Sequence, residues 1–116
     1  MVTTANSNTL LDEMTKAIVK VAAPEKIILF GSQARGTASV HSDYDILIVE
    51  AEPFGGSRSR RQVSAHIRSE LSDFRVPVDI LLFSIEEMSY WSQSLNHVIS
   101  CALREGKVLY ERSITS

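Results

Sequence analysis

Three short apolar runs, separated by stretches of helical periodicity, constrain this chain more than any other feature. Lys26-Ile27-Ile28-Leu29-Phe30 is rich in β-branched residues and stops at Gly31-Ser32, the pattern of a buried strand. Asp43 to Val49 reads as a second strand. Its side chains alternate, so Asp43, Asp45, Leu47 and Val49 share one face while Tyr44, Ile46 and Ile48 share the other. Val78 to Phe83 is the third, entered at Pro77, with Asp79, Leu81 and Phe83 on one face.

Helical signals fill the intervals. Thr9 with Asp12 marks a helix start, and Leu11, Met14, Ile18 and Val21 follow at helical spacing before Pro24. Gln33 to Ser42 is small and polar, with room for one helical turn and a loop. Ser59 with Gln62 caps a helix whose stripe is Val63, Ile67 and Leu71. Ser84-Ile85-Glu86-Glu87 fits a capping box. Leu95, Val98, Ile99, Ala102 and Leu103 form a last stripe, Gly106 stands where a C′ glycine belongs, and Lys107 to Glu111 extends as a short strand. Strands alternating with helices predict an α/β (α+β) layer structure, a small mixed β-sheet with helices packed on it.

The expected organisation is one domain over residues 9–111, with a flexible N-terminal tail at 1–8 and a C-terminal tail at 112–116. A chain of 116 residues is the size of one ordinary domain. Its formal net charge of −2 argues against a broad polyanion-binding face, so direct DNA binding is not expected. Cys101 is the only cysteine, which excludes an internal disulfide and a cysteine metal cluster. With no basic and apolar leader at the N-terminus and no bilayer-length apolar run, the chain reads as cytoplasmic.

The chemistry concentrates in Gly31-Ser32-Gln33-Ala34-Arg35-Gly36 and Ser42-Asp43-Tyr44-Asp45. A glycine at a strand end lets a phosphate approach the backbone. A helical turn after it would aim free N–H groups at that phosphate, and Ser32 adds a hydroxyl. Asp43 and Asp45 project from one strand face, where two carboxylates repel unless a cation lies between them. Mg²⁺ favours carboxylate oxygens together with substrate phosphates. Asp79 is a third acid in an apolar run. A lone carboxylate there is costly to bury, and placing it beside Asp43 and Asp45 on a neighbouring strand removes the cost. Three acids can hold two Mg²⁺ ions and support in-line displacement at phosphorus.

Gly-Ser, ten residues and then Asp-x-Asp resembles the signature of the DNA polymerase β-like nucleotidyltransferases. The fuller pattern, with Ala34-Arg35-Gly36 and Ser42, is similar to the minimal nucleotidyltransferases (MNT), which pair with HEPN-domain toxins. The resemblance covers nearly the whole chain, including the closing Leu103–Tyr110 segment. It implies the polymerase β-like fold, with Gly31 and Ser32 holding a triphosphate and Asp43 and Asp45 binding both metal ions. Asp79 would complete the metal site and help deprotonate the acceptor. Arg35 matches the family's arginine, which either approaches phosphates or braces the loop. Gln33 departs from the family's frequent basic residue.

The resemblance further implies transfer of AMP from ATP to a tyrosine hydroxyl of a partner HEPN ribonuclease toxin, neutralising it. Two alternatives are an antitoxin that works by occlusion alone and a nucleotidyltransferase acting on a small molecule or RNA. The chain has little room for its own acceptor pocket, which favours a protein partner. Other residues carry blander readings. Ser57-Arg58-Ser59-Arg60-Arg61 is a solvated helix start rather than a phosphate contact. His41 is a loop residue, since Mg²⁺ disfavours imidazole, and His66 and His97 are surface or satisfied residues. Cys101 is a small core residue, and Tyr90 and Trp91 are either core or a partner surface.

Overall fold

The computed structural model describes residues 6–37, 43–56, 58–91 and 98–112. His41, Ser42, Ser57, Leu95, His97 and both chain ends lie outside these residues, as do the side chains of Trp91, Val98 and Cys101. In chain order the elements are α1 (Asn6–Val21), β1 (Pro24–Phe30), α2 (Gly31–Arg35), β2 (Tyr44–Glu50), α3 (Arg60–Leu71), a 3₁₀ turn (Ser72–Phe74), β3 (Val78–Ser84), α4 (Ile85–Trp91), α5 (Val98–Glu105) and β4 (Lys107–Glu111).

The four strands form one mixed sheet in the order β3-β2-β1-β4. β1 runs antiparallel to β2 and to β4, and β2 runs parallel to β3. Parallel neighbours need a crossover, which α3 provides. The strand alternation sorts the core. Ile27, Leu29, Ile46, Ile48, Ile80 and Leu82 pack on one face with Met14 and Ile18 of α1 and Ile67 and Leu71 of α3. Ile28, Leu47 and Val49 pack on the other with Ala102 of α5, flanked by Phe30, Leu81, Phe83 and Met88. Cover on both faces is why the strands read as nearly unbroken apolar runs.

The caps follow their sequence signals. Ser59 Oγ accepts from the Gln62 amide at 3.4 Å. The Ser84 amide donates to Glu87 Oε1 at 2.9 Å while the Glu87 amide donates to Ser84 Oγ at 3.2 Å, a reciprocal capping box. Burial works against charge on Glu87, but these amide and hydroxyl donors and the Arg60 guanidinium outweigh it and hold the carboxyl below its ordinary value.

Three expectations change. α1 starts at Asn6 rather than Thr9. Leu103 is 41% exposed, so the buried stripe of α5 is carried by Ile99 and Ala102. Gly106 stands at the end of α5, but not for a left-handed turn: its φ is not positive. A Cβ there would overlap the Ala102 carbonyl and the Ile28 side chain. Gly106 lets the helix end press directly onto β1.

Candidate active site

The candidate site begins where β1 turns without a linker into α2. Phe30 is extended and Gly31 adopts φ +74°, a conformation glycine reaches without steric cost. Antiparallel pairing sets Phe30 opposite Asp45. The Asp45 carboxylate therefore lies against Gly31, where any Cβ would collide with its Oδ2. Gly36, at φ +77°, closes the short helix by donating its amide to the Ser32 carbonyl, and Thr37 donates to the same oxygen at 3.0 Å. Ser32 itself is half-buried beside this turn.

Parallel pairing of β2 with β3 sets Asp45 directly opposite Asp79. Both belong to the sheet face of Leu47 and Leu81, so the carboxylates stand side by side. Asp43 precedes β2 by one residue and is exposed. Burial first, then the Asp79 and Asp43 carboxylates, raise the pKa of Asp45, and the positive charge of Arg35 works the other way. The charges of Asp43 and Asp79 thus both reach Asp45, although no three metal-ligating side chains among the described residues stand preassembled as a cage. Asp79 is exposed. The burial cost expected for it does not arise, because the N-terminal end of β3 opens to solvent.

Arg35 pairs with Glu105 at 3.4 Å, tying α2 to α5. Glu105 was not a sequence candidate, and nothing local could have found it 70 residues away. The basic run is not simply a solvated helix start. Arg58 pairs with Glu50, and Arg60 pairs with Glu87. The Arg58 and Arg60 guanidinium carbons lie 4.9 and 4.8 Å from the Phe54 ring centroid, within cation–π range. Glu50 is fully buried, and its Oε2 has no hydrogen-bond partner among the described residues. Sequence reasoning missed Glu50, yet the signal existed: it continues the inward alternation of Tyr44, Ile46 and Ile48. This network sits at the far end of β2 from Asp45. His66 is exposed, as expected, and Tyr90 is 72% exposed rather than core.

The sequence profile of the nucleotidyltransferase domain family matches residues 11–103. The chain belongs to this family. It is accordingly a nucleotidyltransferase, with a mixed α/β nucleotidyltransferase fold. A Methanocaldococcus jannaschii protein named "Putative protein adenylyltransferase" is 30% identical over 111 residues, spanning 90% of this chain and 72% of that protein. A crystal structure of a toxin-antitoxin with AMP-PNP is similar with a TM-score of 0.53 at 20% identity, over 87% of this chain and 73% of the other. A Shewanella oneidensis structure, a tri-AMPylated HEPN toxin in complex with an MNT antitoxin, is similar with a TM-score of 0.50 at 18% identity, over 90% and 73%. At these identities the structures speak to the fold of this nucleotidyltransferase. No described helix is long and apolar enough to cross a membrane.

Proposed function

We propose that this nucleotidyltransferase moves AMP from ATP onto a tyrosine hydroxyl of a partner HEPN-domain toxin, releasing pyrophosphate and silencing the toxin. The observation that carries the reading is the pairing of Asp45 with Asp79 across β2 and β3, against the Gly31 turn. In this reading the Gly31 backbone and Ser32 hydroxyl hold the triphosphate. Asp43, Asp45 and Asp79 form a hard-oxygen donor set that suits Mg²⁺. Burial first, and then the charges of Asp79 and Asp43, work against the ionised Asp45 carboxylate, and a divalent cation would favour that ionised form. When bound, two Mg²⁺ ions supply charge neutralisation for the attacking and leaving oxygens.

The remaining work falls to this chain's own groups. Asp79 accepts the proton of the acceptor hydroxyl. The freed oxygen attacks the α-phosphorus, a new P–O bond forms, and the bond from the α-phosphorus to the bridging oxygen breaks so that pyrophosphate leaves. Arg35 stands near enough to act on the charge of Asp45, and its Glu105 tether keeps it at the rim of the turn. The relative's name and the AMP-PNP and AMPylated-toxin neighbours support ATP as donor and a HEPN protein as acceptor.

The test is to co-express the chain with a HEPN partner and take intact masses with and without ATP and Mg²⁺. A partner mass gain of one or more AMP units, lost in Asp43→Asn, is expected. A complex that forms and neutralises the toxin with no mass gain would replace transfer by occlusion.

A further inference from the structure

The two edges of the sheet are treated differently. β4 is short, carries Lys107 and Glu111, and has a register irregularity against β1. Charge, shortness and bulges are the usual means of blunting an edge. β3, at the opposite edge, has seven residues and pairs with β2 without a register break. It contains no lysine and no proline, and among the described residues no strand pairs with its outer side. The less protected edge is the one that carries Asp79.

A pocket opens beside that edge. It has a volume of about 150 Å³ and is lined by Arg68, Leu71 and Ser72 from α3 and the 3₁₀ turn, and by Val76, Val78 and Ile80 from β3 and its approach. Val78 and Ile80 belong to the α1/α3 face of the sheet, whereas Asp79 belongs to the other. Neither Arg68 nor the nearby Arg75 has an acidic partner among the described residues.

We propose that the free edge of β3 is the acceptor-docking surface: an extended acceptor segment adds to it as a fifth strand, with a tyrosine on the Asp79 face and an adjacent apolar residue in the pocket. This rests on the adenylyl-transfer reading above and names how its acceptor binds. In an added strand, successive side chains point to opposite faces. One that enters the pocket beside Val78 and Ile80 therefore places its immediate neighbour in the row of Asp79. Strands are spaced by about 4.8 Å, so the space between Asp79 and Asp45 lies beyond the reach of a serine or threonine hydroxyl on the added strand. A tyrosine hydroxyl spans that gap. It would lose its proton to Asp79 and bond to the α-phosphorus as pyrophosphate leaves. Main-chain hydrogen bonds supply affinity in this mode and the pocket supplies selectivity. Arg68 and Arg75, without acidic partners among the described residues, favour acidic residues flanking the segment.

The probe is the peptide acetyl-Ser-Glu-Val-Tyr-Val-Glu-Ser-amide, followed by amide NMR of the full chain with ATP and Mg²⁺ and by mass spectrometry of the peptide. Shifts concentrated on residues 78–84 are expected. Binding should weaken about tenfold when alternate peptide nitrogens are methylated in one phase and not in the other, and should weaken likewise in Arg68→Glu or Val76→Glu, with ATP affinity unchanged. Peptide binding at β3 without AMP transfer keeps the docking surface and overturns transfer to tyrosine. Transfer that is indifferent to N-methylation in both phases, or no shift on β3 at millimolar peptide, overturns the docking surface.

Discussion

Gly31 illustrates how much one position can decide. Its φ of +74° and the Asp45 carboxylate pressed against it leave no space for a side chain. Gly31→Ala should destabilise the fold by about 1–2 kcal/mol from the left-handed backbone alone, and more from displacement of Asp45. Urea denaturation reads the first effect. An ATP titration should show affinity reduced by more than the stability loss accounts for.

Asp45 makes a second prediction at the same scale. Burial and the neighbouring Asp79 and Asp43 raise its folded pKa above 3.8. Folding thus favours the protonated form. This contribution is fully present below the ordinary aspartate value and is lost as pH rises through the raised folded value. In metal-free buffer, Asp45→Asn should be more stable than the parent at pH 7, and the difference should vanish in acid. Urea midpoints at the two pH values check it. An Asn variant less stable at pH 7 would contradict the cost that burial and the neighbouring carboxylates place on the ionised Asp45.

At the scale of elements, the loop after β2 is held by charge rather than by apolar burial alone. Glu50 is fully buried and Arg58 reaches it from the start of α3, stacked on Phe54. Removing one partner leaves the other charge uncompensated, so Arg58→Ala should cost about 3–5 kcal/mol. Replacing both with apolar residues, Glu50→Leu with Arg58→Met, should restore most of the loss. Chemical denaturation of the single and double variants separates a buried ion pair from a decorative one, because independent sites would show additive losses.

Elements were also where the sequence was most legible. The N-cap at Ser59, the capping box at Ser84 and the alternation in β2 depend on residues within a few positions of one another, so local pattern sufficed. The end of α5 was harder. Leu103 fits the helical stripe yet lies exposed, and Gly106 occupies the expected position for a different reason, its contact with β1. Both depend on where the sheet lies beneath the helix.

For the whole molecule, the strand order is the decisive arrangement. Right next to β2 on one side, β1 delivers the Gly31 turn; on the other, β3 delivers Asp79. A ligand bridging these elements should stabilise the entire fold. ATP with Mg²⁺ at about 100 times Kd should add about 2.7 kcal/mol to unfolding. Chelating the metal, or Asp43→Asn, should remove most of that gain, which a thermal melt records. Equal stabilisation by ATP with and without metal would argue against the carboxylates as cation ligands.

The sequence by itself determined the order of strands and helices, the caps at Ser59 and Ser84 and the alternation along β2. These follow from periods of 2 and 3.6 residues and from turn chemistry, all local. It also pointed Asp79 toward the other acids, through the cost of a lone carboxylate, a cost the exposed Asp79 does not bear. Only the tertiary structure decided that Asp79 stands in register with Asp45, that Arg35 meets Glu105, that Glu50 is buried against Arg58, and that β3 is a terminal strand with no partner on its outer side among the described residues. Register and edge position depend on which strands pair across long sequence separations, and no local pattern encodes that choice.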